Sequence, residues 1–401
     1  MTPTRREFLK TGAAAAGVLG LGLSACSPEP EEAAVRPLSI LILGGTGFIG
    51  PHMVRYARAR GHTITLFNRG RTNTHLFPDV EKLKGDRDGD LSALEGRTWD
   101  VVIDNSGFVP RLVRDSAELL HGSVGRYIYV SSVSAYADFE TPGFDEDYTL
   151  GTMEDNTVEE ITGATYGPLK VLCEQVVQEV FGTAATIVRP HYIVGPGDSS
   201  DRWTYWPVRV AEGGEVAVPG APTDPIQFID ARDLTSWMIR LAEDSVGGVF
   251  NGVGPEHPLT MEAMLAVARD ASGSDATFTW MDADFLSEQN ASFPIWSPAT
   301  GETAGLHQTS GARAQGAGLT YRPLAETIRD TLAWWRGQDD ERRSQMRAGF
   351  RMPPDVPAGP TAMEAMMAGE VSLIERWRPR TRGRLSRRVL RGHLDRRPVR
   401  G

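Results

Sequence analysis

From residue 38 to about 250, short apolar runs recur along the chain with helical patterns between several of them. Leu38-Ser39-Ile40-Leu41-Ile42-Leu43 is almost unbroken and ends in glycines. That pattern predicts a strand covered on both faces. Similar runs lie at Thr63–Phe67, Val101–Ile103, Tyr127–Val130, Thr186–Val188 and Gly248–Phe250. Helical patterns occupy Met53–Arg60, Val113–Leu120 and Leu169–Phe181. Strands alternating with helices imply a parallel sheet with crossover helices, a doubly wound α/β fold. From about Pro196 the pattern turns irregular, rich in Trp, Pro and Gly, with an aromatic cluster at Asp201–Pro207. Helical stretches follow at Leu259–Ala271 and Pro323–Trp335. This predicts a smaller C-terminal lobe over residues 196–335 whose segments partly return to the sheet. Residues 336–401 read as an Arg-rich tail, with one helix at Thr361–Trp377 and a disordered end from Arg378.

The first 26 residues do not fit that pattern. A polar start with a twin arginine (Arg5-Arg6) precedes an apolar Ala/Gly-rich stretch from Ala13 to Leu23. About eleven residues cannot cross a ~30 Å hydrocarbon core. Arg5, Arg6, Phe8, Leu9 and Lys10 resemble a twin-arginine (Tat) signal peptide. A frayed basic terminus would leave the apolar run unexplained. Leu23-Ser24-Ala25-Cys26 resembles a bacterial lipobox, which implies cleavage before Cys26 and lipidation of its sulfur. The alternative is a plain cleavage site with an incidental Cys. Residues 27–37 then form a Pro/Glu/Ala-rich tether. The chain is expected to be membrane-anchored and extracytoplasmic.

Composition narrows the chemistry. The 401 residues carry a net charge of −10, and only four of 42 basic residues are lysines: Lys10, Lys82, Lys84 and Lys170. Residues 336–401 hold +8, which leaves −18 on the rest. An acidic body argues against a nucleic-acid-binding core. Two cysteines cannot supply a four-thiolate zinc site, and no metal is expected.

Gly44-Gly45-Thr46-Gly47-Phe48-Ile49-Gly50 sits directly between the first strand and the first helix. Glycines there let the backbone approach a pyrophosphate held by the N–H groups and dipole of the helix start. Residues 38–195 are therefore expected to form a dinucleotide-binding Rossmann domain. The second strand ends in Asn68-Arg69-Gly70-Arg71, without the acid that would read the ribose of NAD. Asn68 and Arg69, with Arg71, are expected to hold the 2′-phosphate of NADP, so NADP is preferred to NAD. Asp86 suits the adenine amino group.

Tyr166-Gly167-Pro168-Leu169-Lys170 places Tyr and Lys four residues apart on one helix face. Upstream, the strand Tyr127–Val130 ends in the hydroxyls of Ser131 and Ser132. Arg189-Pro190, Ile193–Asp198 and Gln227–Asp233 add to the pattern. Together these residues resemble the extended short-chain dehydrogenase/reductase superfamily, the NAD-dependent epimerase/dehydratase family, over roughly residues 38–335. The resemblance implies that Tyr166 is the general acid/base, that Ser132 hydrogen-bonds the same substrate oxygen, and that Lys170 binds the nicotinamide ribose and lowers the Tyr pKa. Val133-Ser134 stands where dehydratases of that family carry Asp-Glu, which argues against water elimination. Trp203–Pro207 suggests an apolar or stacked substrate, while Arg202, Arg209 and Arg232 would suit a diphosphate. His191 and Tyr192 lie where substrate would pass.

An oxidoreductase or epimerase acting on a secondary alcohol or carbonyl of a sugar-like or small organic substrate is the favoured reading. A non-catalytic NADP-binding or interaction protein is the alternative, since chloroplast stem-loop-binding proteins resemble this chain in their Asn-Arg-Gly after the second strand. Retention of both Tyr166 and Lys170 discriminates between them. The expected partners are a small-molecule substrate and, through the lipid, the membrane; a homodimer is compatible, and nucleic acid is excluded.

Overall fold

The computed structural model describes residues 36–346 and 361–394. The twin arginine, the apolar stretch, Cys26 and most of the tether lie outside these residues. From Pro37 onward the chain forms one unit. Its centre is a seven-stranded sheet in the order β10-β6-β5-β4-β1-β2-β3, every neighbouring pair parallel. The strands are β1 (Ser39–Leu43), β2 (Thr63–Asn68), β3 (Glu81–Lys84), β4 (Trp99–Asp104), β5 (Val124–Val130), β6 (Ala185–Pro190) and β10 (Gly248–Gly252). Helices α1 (Gly50–Ala59) and α5 (Ala231–Glu243) cover one face. Helices α2 (Pro110–Leu120) and α3 (Tyr166–Phe181) cover the other.

β1 shows why an unbroken apolar run was needed. Ile40 and Ile42 pack with Met53, Val54 and Trp237 on one side, and Leu41 and Leu43 with Val113, Ala117 and Tyr129 on the other. All four are fully buried, so both parities of the strand must be apolar. β3, the edge strand Glu-Lys-Leu-Lys, buries only Leu83, as an edge with one covered face requires.

The lobe contains a three-stranded sheet, β11-β9-β7 (Gly254–Thr260, Pro225–Asp230, Ile193–Val194), and a parallel pair, β8 (Glu215–Pro219) and β12 (Thr277–Met281). Around them lie α4 (Tyr205–Ala211), α6 (Met261–Ser272), α7 (Ala283–Glu288), α9 (Leu324–Arg336) and α10 (Asp340–Ser344), while α8 (Ala312–Gly316) returns to the central sheet beside β10. Trp203, Tyr205 and Trp206 are fully buried in the lobe's own core, stacked among Phe228 and Phe293. The aromatic cluster is therefore packing and does not offer its rings to a substrate.

The segment beyond Trp335 also departs from the composition-based expectation. Helix α11 (Ala362–Leu394) buries Leu373, Ile374 and Trp377 in the lobe core, and Arg378 pairs with Glu215 beyond the expected end of order. Glu370 is fully buried and receives Arg209 Nε at 2.8 Å and the Tyr205 hydroxyl. Burial pushes its carboxyl above the usual range, against the pull of Arg209. Charge density had marked this stretch as tail, but an apolar face at helical spacing docks it.

Candidate active site

The glycine motif forms the turn from β1 into α1. Gly44 and Gly45 adopt left-handed backbone, with φ of +108° and +88°. A Cβ on Gly50 would lie 2.4 Å from the Gly45 carbonyl carbon, so only glycine lets the helix start pack against the loop. At Gly47 a Cβ would meet nothing within 4 Å, because this residue faces the open cleft. Helix α1 has no side-chain cap and no acid in its first turn. Its unpaired N–H groups and positive dipole end are left to an anion, which fits a dinucleotide pyrophosphate. Thr46 is buried, and its carbonyl accepts from Asn73 Nδ2 at 2.9 Å. Ile49 packs against the sheet core, whereas Phe48 turns toward the neighbouring pocket.

A cleft of about 320 Å³ runs from this loop over Asn68, Arg69, Arg71 and Asp86. Asn68 is committed within the protein: Nδ2 donates to the Gly44 carbonyl at 3.1 Å, and Oδ1 accepts from Gly70 N at 2.9 Å. It ties the end of β2 to the glycine loop through one of its two amide N–H groups, and the residue still lines the cleft. Asp86 caps the Asp88 amide at 3.3 Å. Beneath it, Arg87 donates to Asp104 at 2.7 Å, and the Tyr127 hydroxyl donates to the same carboxylate at 2.8 Å.

The hydroxyls and the lysine meet at the carboxyl ends of β4 and β5. Ser131 Oγ points inward and donates to Glu174, which Arg189 holds at 2.6 Å with both side chains buried. Ser132 is the hydroxyl left for chemistry. Its Oγ accepts from Ser134 N at 3.1 Å, and it lines the same pocket as the Tyr166 phenol. Gly167 sets this placement, because a Cβ there would come within 2.0 Å of the Ser134 carbonyl oxygen. Only glycine lets the first turn of α3 press onto the 133–135 turn and bring Tyr166 beside Ser132.

Burial pushes the Tyr166 phenol above its ordinary value near 10; the nearby Ser132 hydroxyl and the positive charge of Arg202 pull it back. Lys170 was expected to exert that pull. Its Nζ lies deeper, donating to Gly107 O at 2.7 Å, Val130 O at 2.8 Å and Tyr129 Oη at 3.1 Å. Desolvation lowers its pKa to about 8, so it remains an ammonium at neutral pH. With three donors on protein acceptors, it can take a ribose hydroxyl only by giving one up.

Ser132 and Tyr166 open into a pocket of about 520 Å³ that also exposes Phe48, His191, Tyr192 and Arg202. His191 accepts from Tyr192 N at Nδ1 (2.8 Å) and bonds the Leu306 carbonyl through Nε2 (2.9 Å). Burial lowers its pKa to about 4, so it is a neutral, fixed wall. Of the arginines proposed for a diphosphate, Arg209 is buried on Glu370 and Arg232 is bound to Asp230 and Asp330. Only Arg202 reaches this pocket. Sequence reasoning missed Gly167, Glu174 and Tyr129; the close spacing in Tyr166-Gly167-Pro168 was the one available hint.

The sequence profile of the NAD dependent epimerase/dehydratase family matches residues 40–105 and 96–252, more than half of the chain. A chloroplast stem-loop binding protein of 41 kDa b from Arabidopsis thaliana is 28% identical over 251 residues, covering 58% of this chain and 63% of that protein, so the match spans less than two thirds of its length. A dTDP-4-dehydro-6-deoxy-D-allose reductase from Streptomyces sp is 24% identical, covering 56% of this chain and 78% of that protein. Among solved structures, UDP-glucuronic acid 4-epimerase from Bacillus cereus in complex with NAD superposes with a TM-score of 0.56 at 16% identity, covering 75% of this chain and 99% of that one.

Proposed function

The chain belongs to the NAD-dependent epimerase/dehydratase family, and on that premise we propose that it is a dinucleotide-dependent oxidoreductase or epimerase. It would act at a secondary alcohol or carbonyl of a sugar-like or small organic substrate. The observation that carries the reading is that Ser132 and Tyr166 line one pocket that meets the glycine loop at Phe48. A bound dinucleotide supplies a hydride acceptor and donor. Gly44, Gly47, the start of α1, Arg69 and Asp86 would hold it, with Lys170 at its nicotinamide end. Tyr166 exchanges the proton of the reacting oxygen, and Ser132 holds that oxygen in line. The ammonium of Lys170 fixes the ends of β4 and β5 from below. Val133-Ser134 supplies no second acid and base, so the chemistry is redox rather than dehydration.

Tyr166→Phe keeps the ring and removes the proton relay. Turnover should fall by about 10²–10⁴-fold while cofactor affinity stays nearly unchanged. Activity surviving within a factor of two would move the protein to the non-catalytic reading.

For the cofactor, the absence of an acid after β2 and the presence of Arg69 and Arg71 in the cleft support NADP. The solved neighbour named above is a complex with NAD and lends no support to that preference. The N-terminal sequence supports export by the twin-arginine pathway with a lipid on Cys26. A folded, exported chain would carry its dinucleotide with it, and a redox-neutral cycle, in which the hydride returns to the same or a second substrate, would spare it any need for fresh cofactor.

A further inference from the structure

Arg202 differs from the four arginines of the lobe that carboxylates hold most closely. Arg209, Arg232, Arg322 and Arg342 are each set against a carboxylate: Glu370, Asp230, Asp233 and Asp201 respectively. Arg202 is exposed, and among the described residues no carboxylate pairs with it. Its Nε donates to Ser200 Oγ at 3.1 Å, and its guanidinium carbon lies 5.2 Å from the Tyr192 ring centroid. These two contacts aim the fork and leave both terminal nitrogens free. Among the described residues, Asp198 is the only acid lining the same pocket. Its buried carboxylate is occupied by the amide and hydroxyl of Ser200 (2.9 and 2.6 Å) and by the Trp203 amide at 3.4 Å. It therefore anchors the turn that carries Arg202 without capping its charge.

We propose that Arg202 reads an anionic oxygen group, a carboxylate or phosphate, carried by the substrate close to the carbon on which Ser132 and Tyr166 act. A planar fork with both terminal nitrogens open matches such a group in two-point fashion. The substrate is thereby a hydroxy or keto compound with its acidic group at the reacting end. The inference rests on the oxidoreductase reading of the pocket and narrows it. The same charge favours the deprotonated phenol, which couples anion recognition to the proton relay.

The test uses protein saturated with dinucleotide, so that the helix α1 anion site is filled. Malonate, inorganic phosphate and the neutral polyol glycerol are titrated calorimetrically into the wild type, Arg202→Gln and Arg202→Lys. One of the two anions should bind, glycerol should not, and Arg202→Gln should weaken that binding at least tenfold. Arg202→Lys should recover part of it. The anion that binds better identifies the carboxylate or the phosphate. In parallel, the ultraviolet titration of the Tyr166 phenol, taken as a difference against Tyr166→Phe, should move to higher pH in Arg202→Gln. Equal binding in wild type and Arg202→Gln, or binding of neither anion, overturns the proposal. Failure of the protein to take up any dinucleotide would instead strike at the oxidoreductase reading.

Discussion

Replacing Lys170 with Met tests whether a buried ammonium holds the floor of the site. In the fold its pKa is about 8, against 10.5 for an ordinary lysine, with burial as the leading cause. Between those values the unfolded chain binds more protons than the folded one, so stability rises with pH across that window. The desolvation penalty is fully present below about pH 8 and is relieved as Lys170 becomes neutral in the fold. At about 1.4 kcal/mol per unit, the span is worth on the order of 3 kcal/mol. Lys170→Met removes the penalty but strands the Val130 carbonyl, whereas the Gly107 carbonyl keeps the Tyr129 hydroxyl at 2.9 Å. A stranded buried acceptor costs about 1–3 kcal/mol, so the two effects nearly offset at neutral pH. The informative quantity is the slope. Urea midpoints of both proteins, measured from about pH 7 to about pH 10 within the window set by linkage, should diverge steadily as the wild type gains stability that the variant does not. Tyr127 and Tyr205, whose phenols burial holds well above 10, act alike in both and drop out of the difference. Parallel curves would refute a desolvated charge at this position.

Gly50→Ala should abolish dinucleotide binding, measured by fluorescence titration, because its Cβ would fall 2.4 Å from the Gly45 carbonyl carbon. Arg69→Ala should weaken NADP by roughly 10- to 100-fold, the value of a charged phosphate contact, and leave NAD unchanged; equal affinities of the unmodified protein for both would remove the NADP preference. Cys26→Ala should release the protein from membranes, since a stable anchor needs two or more acyl chains; unchanged fractionation would end the lipobox reading.

The sheet was legible because its strands are covered on both faces. Leu38–Leu43 and its counterparts had to be apolar on both parities over most of their length, and glycines marked turns between them. β3 left no apolar run, since an edge strand with one covered side chain, Leu83, is allowed to be Glu-Lys-Leu-Lys; only Gly85-Asp86 behind it marked its end. Tyr166 and Lys170 stood out because helical spacing alone puts them on one face. Their division of labour did not, because depth in the fold separates them: Tyr166 opens to the pocket, while Lys170 sits beneath β4 and β5 on main-chain carbonyls.

The resemblance chose Ser132 over Ser131, but the physical reason for that choice lies in the tertiary structure. The two are adjacent and identical in sequence, and what turns one inward is a Glu174–Arg189 pair contributed by α3 and β6. The same holds for the charges and rings of the lobe. Composition could count the arginines but could not say that Arg209 is sealed on Glu370 from α11 while Arg202 is left uncovered beside Tyr166. Nor could it distinguish Trp203 and Trp206 as core from rings offered to a ligand. Periodicity reports which side of its own element a residue faces, a local property. Whether that side meets solvent, a carboxylate or the core is fixed by segments distant in the chain, and only their packing decides it.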